Sequence, residues 1–136
     1  MTGLDRFVDA QRDIYAQALS ELRSGSKRSH WMWFIFPQVA GLGSSETARF
    51  YAISDLAEAR AYLAHAVLAP RLEECTEAIL QWAGKRSLDT ILGYVDALKF
   101  GSSMTLFEAA GGDECYGRAL DAFCAGRRDG RTLELL

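Results

Sequence analysis

The residues best suited to chemistry stand in one short segment, from His30 to Gln38. Its centre, Trp31 to Phe36, is a run of six large apolar side chains, which must lie in a core or form the wall of a pocket. His30 and Gln38 flank the run and would then lie where the wall meets the mouth. Because an imidazole titrates near neutral pH, His30 is the predicted general acid or base of such a site. The same pattern also fits a structural histidine at the edge of a core.

Other side chains in this region could bind a ligand. Trp31 or Trp33 would offer a flat ring on which a base or another planar group stacks. The basic pair Lys27 and Arg28 could neutralise a phosphate or carboxylate, and Gln38 could orient the bound molecule. These residue types fit a nucleotide-like ligand, and they fit an ordinary buried turn equally well.

Two five-residue segments, at positions 43–47 and 101–105, share the pattern Gly-Ser-Ser-x-Thr. Each is predicted to begin a helix, where backbone N–H groups and hydroxyls can hold an anion or simply cap the helix. The pattern leaves these two roles open, and it is not a Walker A loop. If the second copy and the 30–38 segment form one site, the two converge in space. The anion ligands predicted near the second copy are Lys99, Ser102, Ser103 and Thr105.

Length, composition and charge limit the class of protein. The 136 residues are 49% hydrophobic, which predicts one globular domain over residues 1–136. The net charge of -3 lacks the basic excess of proteins that bind nucleic-acid polymers. No apolar run approaches the roughly 18 residues of a membrane helix, and the first residues do not resemble a signal peptide. A cytoplasmic protein without a membrane partner is therefore expected.

Neither the cysteines nor the histidines have the spacing of a metal site. Cys75, Cys115 and Cys124 are odd in number, form no C-x-x-C pair and are interpreted as small core residues. His30 and His65 have no carboxylate at a metal-ligand spacing. The sequence thus predicts no metal, and it identifies no cofactor.

Apolar periodicity predicts a mainly α protein of several short helices with glycine-bounded connections. The first helix is predicted from Leu4 to Leu22, with a capping signal at Thr2-x-x-Asp5 and a stop at Gly25. Pro70 fits the first turn of a later helix, and Ser87 caps a short one. The 31–36 run shows neither helical nor strand periodicity, so it is either a short buried strand or a short buried helix.

Several short segments of the sequence resemble those of a known bacterial family. They are Arg6 to Gln11, Ser29 to Gln38, Gly41 to Gly43, Tyr51 to Ile53 and Ser102 to Phe107. The chain resembles domain-of-unknown-function family 1810 nearly from end to end, and the long aromatic word is the most specific part. The resemblance implies no established activity or catalytic residue. Some members carry the label calpastatin, but that inhibitor is disordered and polar, unlike a chain with this apolar content.

Two hypotheses of function follow. The first is a small-ligand-binding domain or an enzyme that acts on a phosphorylated or nucleotide-like molecule. The second is a noncatalytic interaction module or a homo-oligomeric structural protein. Trp31 and Trp33 separate the two, since indoles that line a concavity favour a ligand and indoles on a flat exposed patch favour a partner.

Overall fold

Apolar side chains recur every three to four residues along most of the chain, and the structure realises this period as helices. The computed structural model describes residues 3–136. Within this range the only β pairing is one isolated parallel bridge between Val39 and Ile53. The ten helices within it are α1 (Asp5–Gln11), α2 (Tyr15–Arg23), α3 (Met32–Ile35), α4 (Glu46–Phe50), α5 (Leu56–Ala64), α6 (Leu68–Leu80), α7 (Leu88–Leu92), α8 (Tyr94–Ala109), α9 (Cys115–Phe123) and α10 (Gly130–Glu134).

The prediction of a mainly α protein is confirmed, and the structure decides between the two alternatives for the 31–36 run. Residues Met32–Ile35 form one helical turn, so a strand is not what forms there. Pro37 follows the C-cap residue Phe36 and cannot continue the helix, because it lacks a backbone N–H. None of the helices within residues 3–136 is long and apolar enough to cross a membrane.

The longest helix, α8, is the centre of the fold. It has 16 residues and packs against α5, α7, α9 and α10. Its inward face carries fully buried Phe100, Met104 and Phe107. Phe36 meets Phe100 edge to face at a centroid distance of 5.0 Å, so the turn of α3 packs directly on α8.

Two predicted helix boundaries are wrong. The helix predicted from Leu4 to Leu22 is two helices, because residues 12–14 turn between α1 and α2. The helix predicted to start near Ser102 starts at Tyr94 instead, so the second Gly-Ser-Ser segment lies inside α8. Thr2 of the predicted capping signal lies outside the described residues.

Side-chain caps fix the starts of four short helices. The predicted cap Ser87 accepts a hydrogen bond from the Thr90 N–H at 3.1 Å, at the start of α7. Ser45, Asp55 and Asp129 cap α4, α5 and α10 in the same way. Pro70 lies in the first turn of α6, as predicted.

Gly25 lies just after the C-cap of α2, as predicted, and its close surroundings allow a test of the packing there. Its φ is +68°, and an added Cβ would lie 2.7 Å from Cε2 of Trp82. Gly84 has a similar φ of +78° but open space around it. We expect Gly84→Ala to lower the free energy of unfolding by about 1 kcal/mol and Gly25→Ala by about 2 kcal/mol, because only Gly25 adds a clash to the backbone strain. Urea denaturation measures both, and equal losses would contradict the close approach of Trp82.

Candidate functional site

A buried carboxylate holds the connector that leads into the aromatic segment. Glu21, near the end of α2, is 7% exposed. Its Oε1 accepts hydrogen bonds from the Arg28 and Ser29 N–H groups at 2.7 and 2.9 Å and from the Trp31 indole at 3.0 Å. Burial alone raises the pKa of this carboxyl, but the hydrogen bonds from Arg28, Ser29 and Trp31 outweigh it and lower the pKa to about 2. An ionised Glu21 therefore fixes the backbone just before His30.

The two tryptophans of the aromatic segment have different environments. Trp31 is fully buried, and its indole is committed to Glu21. Trp33 is partly exposed at the surface of α3. Of the two, only Trp33 is placed to present a ring to a ligand.

One face of α8 lies opposite Trp33. Val95, Leu98, Lys99 and Ser102 recur at three- and four-residue steps and so share that face. The Lys99 ammonium lies 5.0 Å above the centroid of the Trp33 ring, within the range of a cation–π contact. The wall contributed by α8 and the wall contributed by α3 thus meet at Lys99 and Trp33.

These two walls border an open cleft of about 580 Å³. The loop before α4 and the segment around the start of α10 complete it. Its lining is Trp33, Gln38, Leu42, Gly43, Ser44, Ser45, Ala48, Val95, Leu98, Lys99, Ser102, Asp129 and Arg131. Both Gly-Ser-Ser segments therefore reach the same cleft, although only the first of them precedes a helix.

The charged residues of the cleft lining favour an anion. Lys99 and Arg131 contribute two positive charges and Asp129 one negative charge, against a net charge of -3 for the whole chain. The Asp129 carboxylate is already engaged, because its Oδ2 accepts hydrogen bonds from Ser102 at 3.0 Å and from the Thr132 N–H at 3.2 Å. Lys99 is held in place at 3.6 Å from Asp96.

The serines of the two copies differ in what they can offer. The Ser102 Oγ lies 3.0 Å from Asp129 Oδ2 and 3.2 Å from the Leu98 carbonyl, so its single proton is used within the protein. Ser45 instead accepts a hydrogen bond from the Ala48 N–H, which leaves its own proton for a ligand. Ser44 beside it is exposed. The serines of the first copy can therefore donate hydrogen bonds to a ligand, whereas Ser102 can only accept them.

Several predicted ligand residues do not reach the cleft. Lys27 is 9% exposed at its side chain and pairs with Asp96 at 3.0 Å, so its charge is used within the protein. Ser103 is fully buried, with no hydrogen-bond partner for its hydroxyl within residues 3–136. Thr105 donates to the Gly101 carbonyl and accepts from the Asp129 N–H, which ties α8 to the start of α10. Ser103 and Thr105 are buried because α8 is a continuous central helix rather than a helix that begins at a surface loop.

The predicted acid–base residue lies beside the cleft and not in it. His30 is exposed and lines a neighbouring cavity of about 510 Å³. Trp33 lines both cavities, so the two adjoin at this residue.

One group of side chains has the types of a metal site. Ligand atoms of Glu77, Asp113 and Cys115 lie within 4.8 Å of one another. However, Arg118 already donates to Glu77 at 2.5 Å. Burial, with Asp113 beside it, raises the pKa of the Cys115 thiol, and a protonated thiol is a poor metal ligand. We assign no metal to this group.

Comparison with known proteins places the chain in a family. The family described as protein of unknown function (DUF1810) matches residues 1–136. The chain belongs to the DUF1810 family. The crystal structure of the conserved hypothetical protein Rv1873 from Mycobacterium tuberculosis is 49% identical, with a TM-score of 0.94 over 98% of this chain and 95% of that chain. A comparison with curated proteins finds no match.

Two charged residues of the cleft in this DUF1810 protein were not predicted from the sequence. Asp129 and Arg131 come from the far end of the chain, in the word Asp129 to Thr132. An Asp shortly before an apolar residue such as Leu133 is an N-cap signal, which could have placed a helix start here. That signal does not show that Asp129 and Arg131 lie near Lys99. The start of α10 and α8 are brought together by a tertiary contact, the hydrogen bond from the Asp129 N–H to Thr105.

Proposed function

We propose that the cleft between α3, α8 and the start of α10 binds a small phosphorylated molecule. The observation that carries the proposal is the position of Lys99. Its ammonium is held by Asp96 and by the Trp33 ring at the wall of the cleft, with its side chain still 26% exposed. A cation fixed in this way binds an anion without first losing side-chain freedom.

The other polar groups of the cleft support the same ligand class. Arg131 is exposed and can form the bidentate contact that suits a phosphate. The Ser45 hydroxyl can add a hydrogen bond to a phosphate oxygen. Trp33, Val95 and Leu98 provide apolar surface for the uncharged part of the molecule.

Removal of the Lys99 charge tests the proposal. We expect inorganic phosphate and ribose 5-phosphate to raise the melting temperature of the native protein. Lys99→Met should weaken their binding about tenfold or more, because a charge-assisted contact contributes about 1.5–3 kcal/mol. Titration calorimetry at low salt gives the affinities.

Lys85→Met is the matched control, since Lys85 is exposed and lies outside the cleft. It removes the same charge from the chain and should leave the affinity unchanged. Equal binding by the Lys99 and Lys85 variants, or no binding by the native protein, would overturn the proposal.

A second candidate function is self-association or protein binding. Three apolar residues are exposed at the start of α8: Tyr94 at 68%, Val95 at 61% and Leu98 at 58%. Single exposed apolar side chains are common on protein surfaces, but three neighbouring ones form a patch that a partner could cover. Light scattering over a concentration series measures this, and a monomer at every concentration would contradict self-association.

A further inference from the structure

The cavity beside the cleft is unusually rich in aromatic side chains. It is lined by His30, Trp33, Phe34, Glu46, Thr47, Phe50 and Tyr51, and its volume is about 510 Å³. Five of these seven side chains are planar rings. We call it the aromatic cavity.

Phe50 is the residue that distinguishes this cavity from ordinary core. Its side chain is 60% exposed, although a phenylalanine is usually buried. The Phe50 ring packs edge to face on Tyr51 at a centroid distance of 4.8 Å. Tyr51 in turn contacts Phe34 at 5.3 Å. The exposed ring is therefore supported from one side and free on another.

The backbone at Phe50 is also held in place. Arg6 donates from Nε to the Phe50 carbonyl at 2.8 Å and from Nη2 to the Ala52 carbonyl at 2.7 Å. The same guanidinium pairs with Glu58 at 3.1 Å, which ties the end of α4 to α1 and α5. An exposed ring on a fixed backbone has little freedom left to lose when another ring packs against it.

Next to Trp33, the charge of Lys99 favours a neutral ring over a cation, and the one acidic residue that lines the aromatic cavity, Glu46, is exposed to water. Aromatic rings attract organic cations as well as other rings. Here, however, the Lys99 ammonium already lies 5.0 Å above Trp33, and a second cation beside that ring would be repelled. His30, Thr47 and Glu46 add hydrogen-bonding groups that can meet the polar edge of a base.

We infer that the aromatic cavity holds the planar base of a nucleotide whose phosphate lies in the cleft. The inference rests on the proposed function, because it places the phosphate of the nucleotide in the cleft. Trp33 and residues of α4 line both the cleft and the aromatic cavity, so the two sites are neighbours. It narrows the ligand class from phosphorylated molecules to nucleotides. It also gives His30 a role at the base rather than at the phosphate.

Phe50→Ser is the decisive variant, and Tyr94→Ser is its matched control. Both residues are exposed aromatics, so neither change should unfold the protein, which circular dichroism checks. Tyr94 lines neither cavity. Titration calorimetry would compare adenosine 5′-monophosphate, uridine 5′-monophosphate, ribose 5-phosphate, adenosine and tetramethylammonium.

We expect the native protein and Tyr94→Ser to bind at least one of the two nucleotides about tenfold or more tighter than ribose 5-phosphate, since stacking of a base contributes about 1–3 kcal/mol. In Phe50→Ser that advantage should fall to about threefold or less. The affinity for ribose 5-phosphate itself should be the same in all three proteins.

The outcomes separate the two proposals. If ribose 5-phosphate binds as tightly as the nucleotides, or if Phe50→Ser keeps the full advantage, the base site is overturned and the phosphate cleft stands. If adenosine binds in a Phe50-dependent way while no phosphate contributes, the phosphate cleft and the nucleotide are overturned, and only a site for a planar base remains. Phe50-dependent binding of tetramethylammonium in place of nucleotides would overturn the base site in favour of a cation site. No binding of any probe overturns both.

Discussion

Asp96→Asn is expected to lower the free energy of unfolding by about 3 kcal/mol, because it leaves a buried lysine without its counter-charge. Asp96 Oδ2 lies 3.0 Å from Lys27 Nζ, and Oδ1 lies 3.6 Å from Lys99 Nζ. The Lys27 side chain is 9% exposed and packs 5.2 Å from the Trp31 ring centroid. Its ammonium therefore has little access to water, and loss of the carboxylate costs most of its desolvation energy. Urea denaturation at pH 7 measures the change.

The two lysines that share Asp96 provide the internal controls. Lys27→Met keeps the apolar stem and leaves Asp96 paired with Lys99, so we expect a loss of only about 1 kcal/mol. The double variant Lys27→Met/Asp96→Asn should be more stable than Asp96→Asn alone, since no buried charge is left unpaired. The ion pair of Arg12 and Asp9 is 63% and 65% exposed, so Asp9→Asn should change stability little. Equal losses for Asp96→Asn and Asp9→Asn would contradict the buried network.

Glu21→Gln is expected to lower the free energy of unfolding by about 3 kcal/mol at neutral pH. The Glu21 carboxylate accepts from two backbone N–H groups, the Ser29 hydroxyl and the Trp31 indole, and a glutamine amide would turn a donor toward some of them. The folded pKa is about 2, below the ordinary value of 4.5. A lowered folded pKa gives stability that is fully present above about pH 4.5 and is lost as the pH falls toward about 2.

The pH dependence distinguishes this explanation from a simple packing defect. The difference between the native protein and Glu21→Gln should be largest at pH 7 and should shrink between pH 4.5 and pH 2 as the native carboxylate is protonated. Glu114→Gln is the control, because Glu114 is 84% exposed at its side chain. A difference that stays constant from pH 7 to pH 3 would show that the charge of Glu21 does not stabilise the fold.

Apolar periodicity correctly predicted the helical class. The local residue types, however, predicted a helix start near Ser102, whereas α8 is continuous there. Gly101, Ser102 and Ser103 are residues that usually begin helices. In the structure Ser102 and Thr105 lie within hydrogen-bonding distance of the carbonyls of Leu98 and Gly101, one turn earlier, so the hydroxyls are satisfied inside α8. Only the packing of four helices around α8 decides between these two uses, and short-range sequence signals do not contain that packing.

The candidate site was also predictable only in part, because it depends on tertiary contacts. Composition identified the aromatic segment as core or wall, and Trp33, Gln38, Lys99 and Ser102 do line one cleft. The sequence could not separate Trp31 from Trp33, because the run has no periodicity and the choice depends on Glu21. Nor could it show that the charge of Lys27 is used by Asp96, a residue from a distant part of the chain.

The indole N–H signals of the three tryptophans report on whether the cleft at Trp33 and Lys99 binds a small phosphorylated molecule. Trp31 and Trp82 donate their indole N–H groups to Glu21 and to the Leu22 carbonyl, each at 3.0 Å, whereas Trp33 lines the cleft. A ¹H–¹⁵N spectrum of the native protein, with Trp33 assigned from Trp33→Phe, would be recorded during titration with ribose 5-phosphate. We expect a saturable shift of the Trp33 indole signal and of the Lys99 and Ser45 amide signals, with little change at Trp31 and Trp82. A spectrum that does not change, or shifts that exclude Trp33 and Lys99, would contradict it.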